Sequence, residues 1–148
     1  MNELMHSFEI ELSKTGPMEF TTKFDRNYPD LYFDEPHRSG GNDKYPNASR
    51  ILTASVANCL SASLTFCLAK TRIDIPDLRI SCKATCYIER NEINRLRVKK
   101  IDIQIFPKSE NFNENLVLAL TRCKDRFAEY CVVSQSVKEG FDVNFTVN

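Results

Sequence analysis

The sequence predicts an α+β fold with mainly antiparallel strands. Three observations carry this reading. Short alternating apolar–polar segments come in pairs joined by turn signals. Two helical patterns separate those pairs. The order β-β-(β)-α-β-β-α-α-β contains no regular βαβ unit. At 148 residues the chain is most simply one domain, 1–148, without repeats, low-complexity tracts or a linker.

Phe8, Ile10 and Leu12 alternate with Glu9 and Glu11, which predicts a half-buried strand over Phe8 to Ser13. Gly16-Pro17 signals a turn, and Met18 to Phe24 reads as the return strand. Tyr28 to Phe33 adds a short third strand. Asp34 to Asn47 carries Pro36, Gly40, Gly41, Asp43 and Pro46 and reads as a loop, long enough to suggest function.

A long helix is expected from Ala48 to about Arg72, capped by Asn47 or Ser49 and closed by Lys70 and Arg72 at its negative end. Leu78 to Arg90 alternates as a strand. Asn91 to Asn94 turns the chain into a partner strand from Leu96 to Phe106, which Pro107 ends. The apolar phase slips between Val98 and Ile101, predicting a bulge near Lys99-Lys100. Asn111 or Asn113 would cap a second helix over Glu114 to Tyr130, with Leu116, Leu120, Cys123 and Phe127 on its apolar stripe. A short helix from Cys131 to Lys138, a stop at Gly140 and a last alternating strand, Phe141 to Val147, complete the order.

Lys plus Arg balance Asp plus Glu at 20 each, which argues against nucleic-acid or anionic-membrane partners despite the local basic group Arg95, Arg97, Lys99 and Lys100. Met1 to Ile10 has no apolar run, so it does not read as a secretory signal. Six cysteines without such a signal point to a reduced, cytoplasmic chain rather than a disulfide scaffold. No C-x-x-C pair is present and the only histidines are His6 and His37, so a metal site is not expected. The uncharged run Ile51 to Ala69 approaches a membrane span in length. Its Thr53, Ser55, Asn58, Ser61, Ser63 and Thr65 suit a helix packed against protein instead.

By spacing alone all six cysteines are more often core than catalytic. Cys82 and Cys86 share the apolar face of a strand, Cys67 lies deep in the uncharged helix, and Cys123 is on a helical stripe. Cys59 and Cys131 differ only in their flanks. A thiol becomes a nucleophile as its thiolate, favoured by a helix N-terminus or a nearby cation. Against a peroxide it gives a sulfenic acid, which a second thiol converts to a disulfide without metal or cofactor. A loop histidine such as His37 is usually just exposed.

The flanks resemble the OsmC/Ohr family. One block is Asp34-Glu-Pro-His-Arg-Ser-Gly-Gly-Asn-Asp-Lys-Tyr-Pro-Asn-Ala followed by Leu52-Thr-Ala-Ser-Val-Ala-Asn-Cys59-Leu. The other is Cys131-Val-Val-Ser-Gln-Ser-Val and the final strand. The resemblance implies antiparallel sheets wrapped around two long central helices in an intertwined homodimer, with sites at the subunit interface. It implies Cys59 as the peroxidatic thiolate, Cys131 as the resolving thiol, a peroxide substrate and a dithiol reductant. Family peroxidases usually carry a Glu after the helix-start proline, partnered by an Arg. Here Ser49 and Arg50 stand in its place, and Arg26 and Arg38 are candidates for the Arg by location only. The resemblance thus implies a thiol-dependent hydroperoxide reductase. The missing Glu favours a second reading, a non-catalytic dimer holding a small apolar ligand. A redox sensor is a third.

Overall fold

The computed structural model describes residues 5–110 and 114–148, and the expected caps Asn111 and Asn113 lie outside them. The chain forms two compact units, Met1–Ile51 and Leu52–Asn148.

The first unit is a three-stranded antiparallel sheet, β1 (Glu11–Lys14), β2 (Phe20–Lys23) and β3 (Leu31–Phe33). The Gly16 turn closes its first hairpin, with the Thr15 amide donating to the Glu19 carbonyl at 2.9 Å. The first strand starts later than expected. Leu12 pairs with Thr22, whereas Phe8 and Ile10, though alternating, find no partner register and are exposed.

The expected loop is organised by one carboxylate. Asp34, only 1% exposed, accepts from the backbone amides of Glu35 (2.8 Å), Asn42 (3.2 Å) and Lys44 (3.1 Å). Its path is tight enough that a β-carbon at Gly41 would collide with the Glu35 carbonyl. The Lys44 amide is the main influence holding the Asp34 carboxyl below its ordinary range, against the opposing effect of burial. A depressed folded value means that this contribution is complete above the ordinary carboxylate range and is lost as pH falls. Acidification is therefore expected to speed hydrogen exchange at the Asn42 and Lys44 amides before the sheet opens. Unchanged exchange down to global unfolding would contradict it.

The second unit holds most of α1 (Ala48–Lys70), the hairpin β4 (Arg79–Arg90) and β5 (Leu96–Lys108), α2 (Glu114–Cys123) and α3 (Val132–Glu139). The bulge falls where the phase slip puts it. Tyr87 pairs with Lys100 and Ile88 with Val98, leaving Lys99 without a partner. Pro107 does not end β5 but lies opposite Ile80, near the strand end where a missing N–H is tolerated. The core joins Leu64 and Leu68 of α1 to Ala119 and Cys123 of α2, with Ile80, Ile105 and Phe127 packed against it.

Three expectations need correction. The second helix ends at Cys123 rather than Tyr130. The Lys124 amide still bonds four residues back, to Leu120, but Arg126 bonds three back, to Cys123, and a 3-10 turn follows over Phe127–Tyr130. That tightening keeps Phe127 on the core and releases Cys131 to start α3. Among the described residues only α1 is therefore a long helix. Residues Phe141–Val147 form no strand, because alternation specifies faces but no strand pairs with them here. Phe145 and Val147 are 85% and 93% exposed. Cys82, expected in the core, is exposed on β4, and Cys86 is half-buried.

Candidate active site

Cys59 lies in the middle of α1, not at a helix end, and is half-buried. Cys131 is fully buried at the N-cap of α3, where its Sγ accepts the Ser134 amide at 3.3 Å. The two thiols, 72 positions apart in sequence, lie close enough to shift each other's ionisation. The Val133 amide reaches Cys59, and the Ser63 side chain reaches both sulfurs. The first turn of α3 thus turns its unpaired N–H groups toward both cysteines. Helix N-termini favour negative charge through these groups and through the aligned peptide dipoles.

Protonation in the pair is uneven. Burial raises the Cys59 thiol, and the neighbouring Cys131 thiol raises it further. Burial also acts to raise Cys131, but the neighbouring Cys59 thiol, the Ser134 hydroxyl and the Ser134 amide outweigh it and hold this thiol below its ordinary value. Of the two, Cys131 is the thiol whose surroundings favour ionisation. The Ser134 hydroxyl, 8% exposed, lies beside this sulfur without an aligned hydrogen bond.

Beside the pair is a cavity of about 660 Å³ lined by Val56 and Leu60 of α1, Ile101 and Ile103 of β5, and Ser134 and Val137 of α3. Its polar lining residues are Lys99, Lys100, Ser134, Gln135 and Lys138. Ser134 belongs to both the cavity and the thiol pair.

The other residues singled out in the sequence have simpler places in the first unit. Arg50 donates to Asn47 Oδ1 at 3.2 Å in the first turn of α1, and Asn47 also accepts the Arg50 amide as the helix cap. Arg26 and Arg38 are exposed. His37 Nδ1 lies 3.1 Å from the Gly41 carbonyl and pins the loop.

Sequence reasoning missed the amides of Val133 and Ser134. The signal for them was a cysteine followed three residues later by serine at the start of a helical pattern, which is the spacing of a cap and its N3 amide. It also missed a disulfide between Cys67 and Cys123, whose Cα atoms are 5.9 Å apart, within bridging range. The expectation of a fully reduced chain is corrected accordingly: both residues do belong to the core, but as a covalent pair.

Fold and site together define a class: an α+β thiol protein with two cysteines gathered at one helix N-terminus beside an apolar cavity. The chain belongs to the OsmC-like protein family, whose model matches residues 41–146. Among solved structures it is similar to an OsmC-like protein of unknown function from Vibrio cholerae, with a TM-score of 0.75 and 13% identity over 90% of this chain and 95% of that one. It is similar to an organic hydroperoxide resistance protein OsmC from Legionella pneumophila, with a TM-score of 0.61 and 15% identity over 92% of each chain. An organic hydroperoxide resistance protein from Elizabethkingia anophelis gives a TM-score of 0.61 and 17% identity over 91% of each chain. At these identities the likeness concerns the fold. No match was found among curated proteins.

Proposed function

We propose that this protein reduces hydroperoxides with its own thiols, Cys59 attacking and Cys131 resolving. The observation that carries the reading is the meeting of the two thiols at the start of α3, where each shifts the other's ionisation and the Ser134 amide bonds Cys131 Sγ. Cys59 is the reachable member and Cys131 the buried one, which suits a nucleophile backed by its partner. Cys59 gives up its proton to solvent as peroxide arrives. The Cys59 thiolate attacks the hydroxyl oxygen of the peroxide, the O–O bond breaks, and the alkoxide leaves and is protonated to the alcohol. The sulfenic acid left on Cys59 is attacked by Cys131, which expels hydroxide or water and closes the disulfide. A dithiol returns two electrons and two protons. The Val133 and Ser134 amides take over the thiolate support that the absent Glu–Arg pair would give. The hydroperoxide resistance proteins of similar fold favour this substrate class.

The active form we propose is a homodimer in the cytoplasm, where dithiol reductants are maintained. Two surfaces support the pairing. The α1 positions Ala54, Asn58 and Ala62 lie along one exposed face, although the helix is apolar and long enough to cross a membrane. The apolar residues of 141–147 are exposed as well. Uncovered apolar area of this kind normally marks an interface.

Steady-state consumption of t-butyl hydroperoxide, cumene hydroperoxide or hydrogen peroxide with a dithiol tests the enzyme. Absence of turnover with all three would sink it. Sedimentation tests the dimer, which truncation after Gly140 is expected to weaken. A second reading, a binder of small apolar molecules, draws on the cavity beside Ser134 and gains if a ligand fills it while both thiols resist mild oxidant.

A further inference from the structure

We infer that the Cys67–Cys123 disulfide is a second redox site, reduced by a small thiol that carries its own carboxylate. This pair is separate from Cys59 and Cys131. Cys59 and Cys67 are eight residues apart on α1, about 12 Å along the helix, too far for direct exchange between the two pairs. Cys67 is half-buried and Cys123 is 1% exposed, so an attacking thiolate meets the Cys67 sulfur.

The approach is built for an anion. A cavity of about 380 Å³ is lined by both cysteines together with Lys70, Arg122, Arg126 and Tyr130. No Asp or Glu lines it, and among the described residues none of these three cations is ion-paired. Lys70 Nζ is held 5.1 Å from the centre of the Phe66 ring, on the cavity wall. Three uncompensated cations around a disulfide raise the local concentration of an anionic thiol and lower the cost of the thiolate released there.

The chemistry balances. One thiol loses its proton and attacks Cys67 Sγ. The protein S–S bond breaks, a mixed disulfide forms on Cys67, and Cys123 leaves as thiolate and is reprotonated. A second molecule of the thiol attacks the small-molecule sulfur of that mixed disulfide. It departs as the oxidised dimer and frees Cys67. Two electrons pass to the protein and none to a peroxide, so the outcome does not depend on the activity of Cys59.

The test uses the full-length, air-oxidised protein in a Cys59→Ser/Cys131→Ser background. Glutathione and cysteamine, compared at equal thiolate concentration, serve as anionic and cationic probes. Released thiols are trapped at intervals and assigned by peptide mass mapping. Glutathione is expected to free Cys67 and Cys123 about fivefold faster or more at low ionic strength. High salt should shrink that advantage toward unity, and Arg122→Gln/Arg126→Gln should remove it. The salt series on the arginine-containing protein decides the matter even if the double arginine variant folds poorly. Equal rates at low salt, a faster cysteamine reaction, resistance to both thiols, or free Cys67 and Cys123 before any reductant would each overturn the inference.

Discussion

Replacing Cys59 by serine lowers steady-state hydroperoxide consumption by about a thousandfold or more, whereas Cys131→Ser leaves one stoichiometric turnover. The asymmetry follows from burial and bonding. Cys59 is the half-exposed sulfur and, as the proposed nucleophile, would supply the attacking electron pair; a serine hydroxyl in its place is too weak an acid to ionise there. Loss of the nucleophile removes nearly all catalysis that depends on it. Cys131 is sealed behind it at the α3 N-cap. Serine is itself a good N-cap, so Cys131→Ser keeps the turn and the Val133 amide on Cys59 while removing the resolving thiol. Sulfenic acid then forms once and waits, detectable by a dimedone adduct on Cys59. Equal loss of that first turnover in both variants would show that Cys131 is needed for attack itself, as the base. Retained steady-state activity in Cys59→Ser would refute the assignment outright.

Removing the Cys67–Cys123 cross-link, by reduction or by paired alanine substitution, lowers stability by up to about 4 kcal/mol. The bridge spans 56 positions, and confining a loop of that length in the unfolded chain accounts for about that much by the chain-entropy model. It also joins α1 to α2 inside the Leu64, Leu68, Ala119 cluster, so the alanine pair adds a small packing loss. For a chain of this size the melting temperature is expected to fall on the order of 10 °C. Calorimetry of oxidised, reduced and substituted protein separates the cross-link from the packing. Coincident melting of oxidised and reduced forms would mean that the bridge does no more than pack.

The two largest features of the second unit were legible because each leaves a pattern within one segment. An uncharged run marked α1, and a phase slip between Val98 and Ile101 marked the bulge at Lys99. Features that need two distant segments were not. Cys67 and Cys123 each showed only that they lie on apolar faces; nothing in the spacing says that those faces meet. The alternation of Phe141, Val143, Phe145 and Val147 is equally visible, but it cannot name the strand that would receive it. The end of α2 was misjudged because the apolar stripe continues through Phe127. The stripe is honoured by a 3-10 turn as well as by an α-helix, and periodicity does not separate the two. At the site the sequence offered the two thiols through their flanks. It concealed their electrostatics, because the donors are backbone amides, which every residue but proline carries.

The cap on α3 ties covalent state to local order. Its first turn is closed by a sulfur atom, and the Ser134 amide is bonded to the same atom that a disulfide would consume. A thiolate is a strong acceptor and a bridged sulfur a weak one. The proposed Cys59–Cys131 disulfide would therefore strip the cap from an eight-residue helix, at a cost of about 1 kcal/mol for a lost N-cap. A helix this short has little reserve against fraying. Under the proposed cycle the electron inventory of the protein would be written into its backbone: each oxidation would loosen the turn that carries Val137 on the cavity wall, and each reduction would wind it again.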